Sequence, residues 1–330
     1  MPVATAKDDK EAKLIVLYQG GIYDITEFIN DHPGGVGVLE EWRDKDITGI
    51  FEDPAFHKHS KFAHNMLKKY RIDDITVEQS NNEAKEAEQH RQAFINLNQP
   101  LVSQIWNLKI SKEDYLREVH IPRHLNRPAR FFVSEYLEIF TRTPWWFIPL
   151  FWGPVSLALG RHGITQLVTV VPHPVLAFMW IFGFFAWSLI EYCFHRFIFH
   201  VDGWLPNNGA FFTVHFLFHG VHHFLPMDKY RLVMPPVMFG TFAGSVFGLL
   251  SFMIPRYPLL VMFSGAMVGY ISYDLMYYFF HHGTPSPIGH VQRMKTYHMD
   301  HHYVNENLGF GVTTKIWDRV FGTLLPENTA

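Results

Sequence analysis

The sequence predicts a small α+β domain followed by an all-α integral membrane domain with about four transmembrane helices and a histidine-rich helical cap. Three observations carry this prediction. Alternating apolar residues flank a Gly-Gly pair near the front, at Gly20–Gly21. Nearly all the long apolar runs lie after residue 143. Eleven histidines crowd four short segments between His195 and His302, next to those runs.

Composition narrows the class. The 330 residues are 48% hydrophobic and 16% aromatic, high for a soluble protein. The net charge of -3 points away from nucleic acid, so no nucleic-acid partner is expected. Cys193 is the sole cysteine, which excludes a disulfide framework and a thiolate metal site. The opening MPVATAKDDKEAK lacks the apolar core of a signal peptide.

Residues 11–75 form the first expected domain. LIVLYQGGIYDITEFINDHPGG alternates apolar residues, turns at Gly20–Gly21 and continues into an amphipathic segment. HPGG, at His32 to Gly35, is on its own compatible with a capped turn. Residues 76–98 begin polar and highly charged and read as a linker. The membrane domain then runs over residues 99–330, and its stretch to Thr143 is a surface connection with amphipathic pieces.

Four stretches are expected to span, near residues 145–160, 175–191, 236–254 and 259–280. A span needs about 17 to 25 apolar residues, which the last three meet. The first is short and interrupted by Pro149 and Pro154. The competing reading is a set of buried helices in a large soluble protein. Against it, residues 174–194 carry one charge, Glu191. Short connections pair the spans into two hairpins, with both termini on one side. All the histidine groups fall on that same side, with Arg196, Lys229, Arg231, Arg293 and Lys295, which makes it the cytoplasmic side.

The histidines themselves predict metal. Imidazole is the commonest metal ligand near neutral pH. His215, His219, His222 and His223 follow helical spacing, so one stripe is expected to present all four. His298, His301 and His302 do the same. His195 and His200 are five apart, about 140° round a straight helix, so that pair is expected to straddle a helix end. One zinc takes about four ligands, which leaves most of the cluster unexplained. Two metals is the economical reading, against a pH-sensing or incidental cluster. His90, His120, His162 and His173 read as ordinary surface or core residues. Asp274, near the end of the fourth span, is costly at that depth and a catalytic candidate. It would order a ligand histidine through its second nitrogen, or else be a helix-end acid wetted by interface water. Tyr273 beside it is a candidate to meet the substrate head. Arg231 and Lys229 could meet an acyl carboxylate or headgroup, although the topological role is the simpler account.

Taken with IYDITEF upstream and His59–Ser60 downstream, HPGG resembles the haem-binding motif of the cytochrome b5 family. The resemblance implies haem b held between His32 and His59, with His57 and His64 as other candidates for the second position. Two axial histidines leave no place for oxygen, so such a haem passes single electrons. Residues 1–13 stand where that family carries a further strand and helix.

Over nearly the whole chain, the segments HRFIFH, HFLFHGVHHFLPMDKYRLVMPP, YDLMYYFFHH, KTYHMDHHY and GFGVTTKIWDRVFGT resemble the fatty acid 2-hydroxylases of the endoplasmic reticulum. Those belong to the fatty acid hydroxylase/sterol desaturase superfamily of membrane di-iron oxygenases. The resemblance implies His195, His200, His219, His222, His223, His281, His298, His301 and His302 as ligands of two iron ions, with zinc possible in their place. His215 is less favoured, and His282 and His290 fall outside the ligand set. It further implies 2-hydroxylation of an acyl lipid (fatty acid or ceramide) for sphingolipid synthesis, molecular oxygen, and a reductase feeding the haem. The enzyme would be multi-pass in the endoplasmic reticulum membrane, with both termini and the histidine site cytosolic. Tyr277 stands where the family commonly places a histidine. Competing readings are a sterol or sphingoid-base oxidase or desaturase of that superfamily, and a membrane-anchored haem carrier with a structural metal.

Overall fold

The structure, a computed structural model, describes residues 13–32, 39–40, 42–52, 59, 61–72, 94–123, 125, 127–283, 286–303 and 305–326. The chain divides into two compact units, Met1–Glu86 and Ala87–Ala330. Pro33, Gly34, Gly35, His57, Ser60 and most of the expected linker lie outside the described residues.

In the first unit β1 (Ile15–Tyr18) pairs antiparallel with β2 (Gly21–Asp24), Ile15 opposite Asp24. Alternation sorts the side chains: Val16, Tyr18 and Tyr23 are buried, while Leu17 and Ile22 face outward. The turn is Gln19–Gly20, at φ 47° and 77°, one residue ahead of the predicted Gly-Gly pair. Two successive left-handed residues match the twist of a hairpin. Gln19 holds its conformation by donating its N–H to Thr48 Oγ1 at 2.7 Å. Helices α1 (Thr48–Glu52) and α2 (Lys61–Lys68) follow, and Ile47 and Leu67 join the strands' core.

The second unit is helical. Two short helices, α3 (Leu101–Trp106) and α4 (Lys112–Val119), precede α5 (Phe147–Leu167) and α6 (His173–Phe194). Ser111 caps α4 by accepting from Asp114 N. After a short α7 (Gly209–His215) and α8 (Val221–Phe224) come α9 (Pro236–Leu250), α10 (Arg256–His282), α11 (Gly289–Tyr303) and α12 (Ile316–Phe321). Every predicted apolar run is thus helical.

Stretches in α6 and α10 are long and apolar enough to cross a bilayer. Helix α9 has 15 residues, which rise about 22 Å, less than the ~30 Å of a hydrocarbon core. Helix α10 is central, with α5 and α6 packed on it. Close approach is purchased with missing side chains: a Cβ on Gly183 would sit 1.8 Å from Met262 O, and one on Gly265 would sit 2.0 Å from Trp180 O. Small residues at helix contacts are what apolar surroundings favour, because backbones can then touch. Away from α10, Leu157, Phe178, Phe185 and Leu249 stand exposed without protein cover.

Candidate metal centre

Two departures from the α-helix build the site. Residues His195–Phe199 form a π-turn at the end of α6, closed by His200 N–H donating to His195 O at 3.0 Å. The i+5 bond brings His195 and His200 onto one face, and the pair straddles the helix end as expected, with His200 as the non-helical cap. A second π-turn, Phe216–Gly220, joins α7 to α8. It breaks the stripe that straight helical spacing predicted. His219 and His223 face one pocket, His222 faces another, and His215 turns away from both. Such turns are rare and gather at functional sites.

The nine predicted histidines come together in two adjoining groups. The first is His195, His200, His219, His223 and His301; the second is His222, His281, His298 and His302. Within each, the ligating nitrogens lie within 4.8 Å of one another. In the first group Nε2 of His219 lies 3.1 Å from those of His195 and His200, and 3.0 Å from that of His223. In the second, the Nε2 separations are 2.6 Å for His222–His302, 3.1 Å for His281–His298 and 3.2 Å for His298–His302. With metal–nitrogen bonds of about 2.1 Å, ligands at right angles lie roughly 3.0 Å apart. The spacings of 3.0–3.2 Å match, and the 2.6 Å between His222 and His302 is shorter.

Protonation makes the same point. Burial, reinforced by neighbouring imidazoles, holds His219, His222, His223, His298 and His302 well below the usual imidazole range. His301 is lowered in the same way. Burial therefore disfavours the charged form of these rings. The Nδ1 atoms of His195 and His301 each lie 2.7 Å from a carbonyl, of Phe310 and Leu308 respectively. Their protons are therefore donated there, and Nε2 is a bare lone pair. Among the described residues His301 Nε2 is buried with no hydrogen-bond partner. Lone pairs converging at about 3 Å repel unless a cation lies between them. The donor set fits two metal ions.

Outer contacts position the rings. The 310–314 segment that supplies Phe310 O is pinned by Asp318, which accepts from Phe310 N (2.9 Å) and Gly311 N (2.8 Å). Glu191 on α6 accepts from Thr313 N at 2.8 Å. This accounts for the GFGVTTKIWD segment: it is the brace behind His195. Asp202 lies 3.6 Å from His200 Nδ1 and 3.2 Å from His215 Nε2. His215 is doubly engaged, since its Nδ1 also lies 2.8 Å from Tyr115 OH, a hydroxyl that is within 3.1 Å of Phe212 O as well.

Other predicted residues fall differently. Asp274 accepts from Met234 N at 3.1 Å, at the entry to α9, and no hydrogen bond to a histidine is among its described contacts. It does line, with Tyr273, Tyr277, His219 and His222, a cavity of about 70 Å³ beside both pockets. Arg231 also reaches that cavity but is committed elsewhere. Its guanidinium is bonded to Glu138 at 2.6 Å and lies 3.6 Å over the Phe131 ring. Tyr277 packs on His222 and His298, ring centres 4.6 and 4.7 Å away. His282 packs against Tyr278, and His290 pairs with Thr313 O; neither belongs to a pocket. His120 was expected to be incidental. It stacks parallel to His200 at 6.1 Å and meets His223 edge-on at 5.0 Å. Neither it nor Asp202 or Tyr115 carries a spacing signal.

In the first unit, His59 Nδ1 lies 3.1 Å from Phe51 O, and its ring stacks on Phe51 at 4.0 Å. A proton donated there leaves Nε2 as the ligating nitrogen. His32 meets Phe28 edge-on at 5.8 Å. His64 faces the Glu52 carboxylate at 3.4 Å, which occupies it differently. Each of the two imidazoles thus has an aromatic neighbour.

A small α+β unit joined to a helical unit with two buried polyimidazole pockets defines a class of histidine-rich metal-binding protein. Two family models match this chain: the fatty acid hydroxylase family over residues 180–323, and the cytochrome b5-like heme/steroid binding domain over residues 3–76. The ceramide very long chain fatty acid hydroxylase SCS7 of Saccharomyces cerevisiae is 36% identical, covering 94% of this chain and 90% of its own. The fatty acid 2-hydroxylase of Homo sapiens is 31% identical over 93% of this chain and 90% of its own. A solved structure described as full length scs7p, with only the hydroxylase domain visible, matches with a TM-score of 0.69 at 39% identity. It covers 74% of this chain and 90% of that one. The chain belongs to the fatty acid 2-hydroxylase family, with a cytochrome b5-like domain at its front.

Proposed function

We propose that this enzyme hydroxylates the carbon next to the carbonyl of an acyl chain, carried as a fatty acid or ceramide, for sphingolipid synthesis. The observation that carries the reading is two buried imidazole pockets sharing one small cavity that opens among apolar helices. The reaction replaces a C–H bond by C–OH; the second atom of oxygen leaves as water, which takes two electrons and two protons.

Held by the five- and four-histidine pockets, two irons would supply oxygen activation, while a haem between His32 and His59 would relay single electrons from a reductase. The same imidazoles accept zinc. The chain's own residues do the rest. The carbonyls of Phe310 and Leu308 fix the tautomers of His195 and His301, so that Nε2 is presented. Tyr273 and Asp274 wall the cavity where the reacting carbon would lie, and Asp274 holds the entry to α9 in place. Met234, Phe199 and Phe218, which also line the cavity, exclude water from it.

The apolar helices α5, α6, α9 and α10 are read as four spans of the endoplasmic reticulum membrane. Both termini and the histidine-bearing helices then form a cap on the cytosolic side, where the basic residues lie. Expression in cells lacking 2-hydroxylated sphingolipids, followed by lipid mass spectrometry, tests the reading. Restored 2-hydroxyacyl product that disappears in His222→Ala supports it. A hydroxylated sterol or sphingoid base instead would overturn it.

A further inference from the structure

Beyond the histidine cavity, a second cavity of about 200 Å³ lies between α6, α9 and α10, and its lining is apolar throughout. Each helix gives it one stripe. Phe182, Ala186, Ile190 and Phe194 follow one another at four-residue steps on α6, and Phe239, Ala243, Val246 and Leu250 do so at three- and four-residue steps on α9. Phe182 to Phe194 spans about 18 Å along the helix axis. The groove therefore runs along the spans rather than across them.

Its upper end abuts the histidine cavity. Phe242 lines the groove and Phe218 lines the histidine cavity, with ring centres 5.9 Å apart. Trp187 of the groove meets Tyr273 of the histidine cavity at 6.0 Å. At both places the wall is aromatic side chains, which turn about two torsions without moving backbone. Hydroxylation at the carbon beside the carbonyl leaves the whole remaining chain to be housed on the far side of the reacting atom. The histidine cavity, at about 70 Å³, is too small to hold it. We infer that the groove between α6, α9 and α10 receives the distal hydrocarbon of the acyl chain, and that its α9 wall sets how long a chain is accepted.

The inference rests on the proposed acyl 2-hydroxylation, and the groove's occupant is one hydrocarbon tail of the substrate rather than a resident membrane lipid. Depth along α9 gives the test. In the full chain, Ala243→Trp blocks the groove near the histidine cavity, Val246→Trp midway and Leu250→Trp at its far end. Each variant is expressed in cells supplied with a mixture of fatty acids of graded length. Readouts are the lengths of the 2-hydroxyacyl products and the metal content of the purified protein. The ratio of long- to short-chain product should fall about tenfold for Ala243→Trp, as expected when several methylenes lose their pocket, and progressively less for Val246→Trp and Leu250→Trp. Where a Trp variant loses its metal, the Leu variant at Ala243 and the Phe variant at the other two positions are scored instead. Metal-replete variants whose long and short products are unchanged, or fall in equal proportion, would refute the inference and leave the groove to a membrane lipid. Absence of any 2-hydroxyacyl product from the parent chain would refute the underlying reading instead.

Discussion

The pocket of five imidazoles and the pocket of four use one chemistry with different support. In the five, His195 and His301 are pinned through Nδ1 by backbone carbonyls and the Asp202 carboxylate stands behind His200, while His223 Nδ1 is buried without a hydrogen-bond partner among the described residues. In the four, the Nδ1 atoms of His222, His281, His298 and His302 are all buried without a hydrogen-bond partner among the described residues. Those rings are set by packing, against one another and against Tyr277. Outer hydrogen bonds fix a ring's angle and raise its basicity, and their loss typically costs about 10–100-fold in metal affinity. The difference teaches that a matched count of histidines need not give matched sites: the five should hold metal rigidly, the four with room to adjust.

The largest effects break the pockets one at a time. His219→Ala and His222→Ala should each abolish 2-hydroxyacyl product, and metal analysis should find about one ion per chain in place of two. Should either variant lose both ions, the pockets are one cooperative site and the comparison fails. Next, a chelator should empty the parent enzyme in two phases. The faster phase belongs to the four-imidazole pocket and disappears in His222→Ala. Tyr277→His adds an imidazole beside His222 and His298, and should slow that phase about tenfold by the ligand arithmetic above. A single phase in the parent would erase the contrast.

How far the sequence disclosed this site depends on what each part is made of. The histidine clusters were legible because side-chain identity at three-, four- and five-residue spacing is written in the chain; the choice of nine, with His281 included and His215 left out, came from the family resemblance. Their division was not. Neighbours on one helix, His222 and His223 or His301 and His302, go to different pockets, which only the packing of the helices decides. Phe310 and Leu308 act through carbonyls, which every residue possesses, so no letter marks them. His120, Asp202 and Tyr115 come from segments remote from the clusters and reach the site only by tertiary packing. Asp274 lines the cavity beside the site and accepts from a backbone N–H at the head of α9, a partner that no letter of the sequence marks. At the front, the hairpin was legible but its turn slipped by one residue, because Gln19 adopts a left-handed conformation that glycine would usually take.

Smaller effects sharpen the comparison from outside the pockets. Asp202→Asn keeps the volume and removes the charge behind His200. It should weaken metal retention in the five-imidazole pocket by about tenfold while leaving the phase assigned to the four unchanged. If both phases shift together, Asp202 supports the fold rather than one pocket.

Tyr115→Phe should be the mildest of these changes, and it separates support of a ring from support of a pocket. Tyr115 OH is hydrogen-bonded to His215 Nδ1 at 2.8 Å, and His215 Nε2 lies 3.2 Å from Asp202. Removing the hydroxyl leaves a buried nitrogen without its partner, a loss of about 1–3 kcal/mol. The thermal midpoint should fall by a few degrees. Both chelation phases should stay within about twofold of the parent, because His215 touches Asp202 without entering either pocket and the carboxylate remains charged. A loss of metal in Tyr115→Phe as great as in Asp202→Asn would show that the carboxylate acts only when His215 is held. The rigid pocket would then be braced by a relay running from Tyr115 through His215 and Asp202 to His200, rather than by Asp202 alone.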